Sequence, residues 1–293
     1  MRYPHLTHPP LVAIAHGSRD PQAGATVTRL LDVARQRAAG HGLAGLDIRA
    51  AFLDHAAPAP VQVLSALRDG PVLVLPLLLT AAYHSGTDIP GLLSAAQAAR
   101  PGLRIRYGAP LGPHPGLLRA LERRLAGAGQ DLAQARQTAV VLAAAGSSDP
   151  AANAVIAGLA ARWQASRGWL AVRPAYASAT APAPEQVVAG LIRDGARRVV
   201  VASYLLAPGR FADQVRDLSL AAGAAAVAAP LGAAPEVADV LLGRYLLARW
   251  GPPQACPTEP AIAGFRGPPP GPAGPAGWRR DDEAVAWTAV SAR

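Results

Sequence analysis

The chain has 293 residues, 51% of them apolar and 16% charged, which excludes a disordered chain and leaves room for two compact α/β units. Its formal charge of +9 suits a polyanionic partner. The arginines are scattered over amphipathic helices and no basic run alternates with aromatics, so a polyanionic small molecule accounts for the charge as well as nucleic acid does, and nucleic acid is the weaker reading.

One cysteine, Cys256, allows no intramolecular disulfide. No signal-peptide core precedes the first strand, and the longest apolar run, near residues 72–83, contains Pro76 and is too short for a bilayer. The expectation is a cytoplasmic protein without a membrane partner.

In chain order, residues 11–15 (LVAIA) read as a first strand buried on both faces. They run into His16-Gly17-Ser18-Arg19-Asp20-Pro21. Gly17 permits a tight turn, and a helix starts near Asp20 with Pro21 in its first turn. That helix spans 21–39, its apolar stripe supplied by Ala25, Leu30, Leu31, Ala34 and Ala38, and Gly40 and Gly42 end it. Residues 46–53 alternate as a second strand ending at Asp54 and His55. His55 is one residue out of phase with Asp54, so it should face the other side. A helix follows from about 60 to 69.

Residues 72–90 (VLVLPLLLTAAYHSGTDIP) are the centre of the pattern. An unalternating apolar run makes a doubly covered parallel strand, then breaks into a polar turn carrying Tyr83 and His84. Ligands of open α/β sheets bind beyond the carboxyl ends of strands, where both His16 and His84 fall. A helix over 89–99, a strand over 103–107, a loop with His114 in a capping or exposed role, and a helix over 115–125 complete the unit.

After a polar connector over 127–137 the pattern starts again. Residues 138–150 repeat the first strand and turn, 175–187 repeat 51–63, and 199–206 repeat the key strand. The expected fold is α/β: two tandem units, each a parallel sheet flanked by helices, over 1–130 and 131–250. A Pro/Gly-rich tail over 251–293 reads as disordered. The second unit lacks the chemistry of the first. Ala145 stands opposite His16, Ser148 opposite Arg19, Ser178 opposite Asp54, Arg210 opposite Tyr83 and Phe211 opposite His84. Alanine and phenylalanine neither ligate a metal nor move a proton.

HGSRDP after the first strand, and PLLLTAAYH followed by DIP after a later one, resemble the sirohydrochlorin chelatases, class II tetrapyrrole chelatases of the sirohaem and cobalamin pathways. The resemblance covers roughly residues 10 to 248. It implies ATP-independent insertion of Fe²⁺ or Co²⁺ into sirohydrochlorin, a substrate rich in carboxylates, with no cofactor beyond that metal. It also implies that His16 and His84 are the catalytic, metal-holding pair. Asp54 falls where relatives often carry a glutamate in an FLE-x-A-x-P-like pattern, and is a candidate metal ligand one methylene shorter. Gly17, Ser18 and Arg19 are placed to receive substrate carboxylates, and Tyr83 to wall the cleft. A monomer with an internal pseudo-two-fold is expected.

A non-catalytic tetrapyrrole or metal carrier would use the same histidines. A histidine phosphatase would need arginine before His-Gly, where this chain has Ala15.

Overall fold

The computed structural model describes residues 8–80 and 89–250, which fall in one compact unit. The first half runs β1 (Leu11–Ala15), α1 (Pro21–Ala38), β2 (Ile48–Phe52), α2 (Pro60–Ser65), β3 (Gly70–Pro76), α3 (Ile89–Ala99), β4 (Leu103–Tyr107) and α4 (Pro115–Gly127). The second runs β5 (Ala139–Ala144), α5 (Pro150–Arg167), β6 (Ala171–Tyr176), α6 (Pro184–Arg193), β7 (Val199–Tyr204), α7 (Arg210–Ala221), β8 (Ala226–Val227) and α8 (Pro235–Trp250).

Each half builds one parallel sheet, ordered β2–β1–β3–β4 and β6–β5–β7–β8. The central strands β1 and β5 are buried along their whole length, as unalternating apolar runs require of a sheet covered on both faces. The helices that follow them start alike. Asp20 accepts from Gln22 N at 2.8 Å and Asp149 accepts from Ala151 N at 2.9 Å, each with proline next in the chain.

Two elements differ from the sequence reading. The helix expected over 60–69 ends at Ser65. The Arg100 guanidinium, from another helix end, takes the carbonyls of Leu64, Ser65 and Leu67 at 3.2, 2.8 and 3.0 Å and so satisfies the last turn. The polar connector holds a short 3₁₀ helix, Leu132–Gln137, capped by the Asp131 carboxylate on Ala133 N at 2.9 Å.

The two halves trade their last helices. α4 packs on β7 of the second sheet, while α8 packs on β3 of the first and on α1 and α4. One face of each sheet has a private core: Val12, Ile14, Val72 and Val74 in the first half, Val141, Val188, Val199 and Val201 in the second. The remaining core is continuous across both halves, from Leu11 through Trp163 to Tyr245. The Tyr245 hydroxyl donates to Pro9 O at 2.8 Å and Trp163 Nε1 donates to Glu122 Oε1 at 3.0 Å. Arg37 meets Asp239 and Arg123 meets Glu236 in ion pairs across the same seam. These pairs are largely exposed and screened by solvent, so they tie the halves only weakly; the shared apolar core is the stronger tie.

Candidate active site

In the first sheet the chain leaves β1 toward β2 on one side and β3 toward β4 on the other. The crevice outside the carboxyl ends of β1 and β3 is therefore a topological switch point. His16 follows β1 directly and is exposed. The segment after β3 carries Tyr83 and His84, which lie outside the described residues.

Gly17 fixes the turn. Its φ is +94°, and a Cβ there would lie 1.7 Å from the Asp54 carbonyl oxygen. Only glycine adopts that backbone without strain and admits so close an approach. Asp54 N also donates to His16 O at 2.9 Å, so the exposed Asp54 is locked beside the His16 turn. His16, Gly17, Ser18, Arg19 and Asp54 thus share one sheet edge, with Arg19 exposed. The Ser18 hydroxyl accepts from Asp20 N at 3.1 Å and so shapes the turn. His55 is not on a strand face as its phase suggested, because β2 ends at Phe52 and His55 turns back with φ 58°.

The second half reproduces this backbone with different side chains. Gly146 has φ +89° with a Cβ position 2.1 Å from Ser178 O, and Ser178 N donates to Ala145 O at 2.9 Å. The hydroxyl of Ser178, in the place of Asp54, donates to Ala145 O at 3.0 Å. Asn153 then closes the turn, its Oδ1 accepting from Ser147 N at 3.1 Å and its Nδ2 donating to Ser147 O at 2.7 Å. In the first half the matching residue is Gly24, whose Cβ position has nothing within 4 Å. α7 begins at Arg210, so Arg210 and Phe211 occupy a first helical turn, with Phe211 42% exposed. Their expected counterparts, Tyr83 and His84, are in the undescribed segment.

The strand ends of the two sheets meet around a cavity of about 190 Å³. Leu77, Leu79 and Thr80 line it from the first half, and Ala145, Ser147 and Tyr204 from the second. A Cβ on Gly209 would sit 3.9 Å from both Ser18 Oγ and Asp20 Oδ2, so the second half reaches the His16 turn itself. Burial pushes the Tyr204 phenol far above its ordinary range, so it stays protonated, and its hydroxyl donates to Leu79 O at 3.1 Å.

His114 takes the capping role expected of it at the start of α4. Gly116 N donates to its Nδ1 at 3.0 Å, which requires a neutral ring. Burial first, then Arg244 and Arg119, hold its pKa below the usual histidine value and keep it so. Among the described residues, no three His, Cys, Asp or Glu side chains come together as a metal site.

Asn153 and Tyr204 escape sequence reading. The one sign of Tyr204 is a hydroxyl at a strand end where the first half has Leu77; Asn153 gives no sign, because its partner lies six residues back across a turn.

The CbiX family model matches residues 10–128 and again 139–247. A sirohydrochlorin cobaltochelatase of Priestia megaterium is 27% identical over 216 residues, 70% of this chain and 66% of that protein. A sirohydrochlorin ferrochelatase of Bacillus subtilis (strain 168) is 31% identical over 144 residues, 49% of this chain and 54% of that protein. Less than two thirds of either relative is therefore covered. SirB from Bacillus subtilis, solved with Fe³⁺, superposes with a TM-score of 0.70 at 23% identity, covering 82% of this chain and 95% of that one. At that identity the likeness speaks for the fold.

Proposed function

The chain belongs to the CbiX family, and on that premise we propose that it inserts Fe²⁺ or Co²⁺ into sirohydrochlorin without ATP, for sirohaem or cobalamin synthesis. One observation carries the reading: an exposed histidine at the switch point of one sheet, with the backbone of an aspartate bonded to it, in one half only. We read the chain as an N-terminal unit over 1–130 with the site and a degenerate unit over 131–250, working as a cytoplasmic monomer. No nucleic acid, membrane or further cofactor takes part.

Insertion must strip water from the metal and remove two pyrrole N–H protons. Neutral imidazole binds Fe²⁺ and Co²⁺ well. His16 and His84 present the metal to one macrocycle face, one of them also accepting a pyrrole proton. Asp54 adds an oxygen ligand. The second proton leaves to solvent as the metal takes both nitrogens. The Ser18 amide, at the start of α1, and the Arg19 guanidinium receive substrate carboxylates, and Tyr83 walls the cleft.

The contrast between the halves supports the carboxylate role. Where Asn153 fills the second turn, Gly24 leaves the first one open. Gly24→Asn should place an amide oxygen on Ser18 N and raise the KM for sirohydrochlorin about tenfold or more, since a hydrogen bond to a charged group is worth about 1.5–3 kcal/mol. Asparagine is no worse than glycine in a helix, so Tm should not fall. Steady-state kinetics with a thermal melt checks both.

The direct test of the function is turnover. Purified protein, sirohydrochlorin and Fe²⁺ or Co²⁺, mixed anaerobically without ATP, should show the absorbance change of metallation over many equivalents per chain. A signal that stops at one equivalent would instead describe a carrier.

A further inference from the structure

We propose that His114 is a pH-sensitive latch between the two halves: its neutral ring holds the loop before α4 against α8, and a proton on that ring releases the joint. The loop is held from three sides. Gly112 N donates to Leu78 O at 3.1 Å, which fixes the loop to the chain leaving β3. Arg244 of α8 donates from Nη2 to Leu111 O at 3.4 Å and to Pro113 O at 3.1 Å. The His114 ring closes the first turn of α4, its Nδ1 accepting from Gly116 N at 3.0 Å. That turn lies hard against α8, since a Cβ on Gly116 would sit 2.6 Å from Val240 Cγ2 and 3.0 Å from the same ring nitrogen. Leu78 also lines the cavity between the halves, so the joint reaches the strand ends.

An imidazole cap differs from the usual serine, aspartate or asparagine cap in that it titrates near neutral pH. Accepting at Nδ1 leaves the ring proton on Nε2. A second proton, on Nδ1, would face the Gly116 N–H, and two donors cannot bond. The new charge would also meet cations, Arg244 first and then Arg119 of α4 itself. The carboxylates of α8 are committed elsewhere, Glu236 to Arg123, and Asp239 to Arg37 and His41. From β7 the Tyr204 hydroxyl comes within 2.5 Å of a Cβ on Gly112, and it stays neutral. Arg244 Nε is buried with no hydrogen-bond partner among the described residues, so the pocket is short of acceptors before any proton arrives. Burial and the two arginines hold the docked ring's pKa below the ordinary value of 6.5. As pH falls through that value the undocked ring takes a proton before the docked one, so acid favours release; the loss is complete once pH has passed the lowered value.

Amide hydrogen exchange of the full-length protein over residues 111–118, at about pH 7.5 and about pH 5.5 and corrected for intrinsic rates, tests the latch. In the wild type, protection there should fall at least about fivefold on acidification, the size of one cap bond. Protection over 139–144, buried in β5, should change less than twofold, which sets the loss apart from general unfolding. His114→Asn keeps a cap that does not titrate and should hold protection over 111–118 within twofold between the two pH values; His114→Ser should behave alike. The control is His8→Gln, because His8 also meets an arginine of α8, Arg249; it should lose protection over 111–118 as the wild type does. A wild type that keeps its protection in acid overturns the proposal. So do a His114→Asn protein that loses as much as the wild type and a His8→Gln protein in which the loss disappears.

Discussion

Replacing His16 with alanine should lower the rate of metal insertion by at least about 100-fold, the lower end of what a positioned acid–base group contributes. Loss of a metal-holding group adds to that. The fold should survive. His16 is exposed at the end of β1, and substitutions at such positions usually stay within about 0.5 kcal/mol. His84→Ala should give a loss of the same size, and the double variant should lose little more than either single one, since groups acting as a unit are non-additive. Following sirohydrochlorin absorbance after metal addition, beside a melt of each variant, reads both halves of the expectation. Additive losses in the double variant would mean that the histidines serve separate steps.

Gly17→Ala should be the most damaging single-atom change at the site. Its φ of +94° strains any side chain, and the added carbon would overlap the Asp54 carbonyl at 1.7 Å, backbone that has nowhere to go. The cost should be at least about 2 kcal/mol, a fall in Tm of about 4–8 °C for a unit of this size. Insertion should fall too, because the His16 turn and Asp54 are pushed apart. Gly146→Ala is the matched control, with φ +89° and a contact of 2.1 Å to Ser178 O. It should destabilise to a similar extent while sparing the specific activity of the folded protein. Equal losses of activity in the two variants would place working chemistry in the second half as well.

Much of this was legible because it rests on local rules. Unalternating apolar runs gave β1, β3 and β5 as doubly covered strands, and the Asp-Pro pairs marked the starts of α1 and α5. The bounds of α3 and β4 followed from Pro101-Gly102 and a five-residue run. The repeat was readable down to single residues, since the backbone bonds of Asp54 and Ser178 are the same. What stayed hidden depends on which surfaces meet. An apolar stripe says that a helix is covered, and not that α4 covers β7 while α8 covers β3. Arg100 ending α2, Asn153 closing the second turn and Tyr204 reaching Leu79 are pairings between segments that no spacing connects. His16, Gly17 and Asp54 were readable as neighbours because a glycine turn brings the two strand ends together, whereas Tyr83 and His84 lie outside the described residues.

The central claim is one working metal site per chain, held by the first half. Titrating the full-length protein with Co²⁺, with bound cobalt followed by its visible absorption, tests it most directly. The account predicts one equivalent bound per chain and none in His16→Ala. Two equivalents per chain, or one that survives His16→Ala, would contradict it.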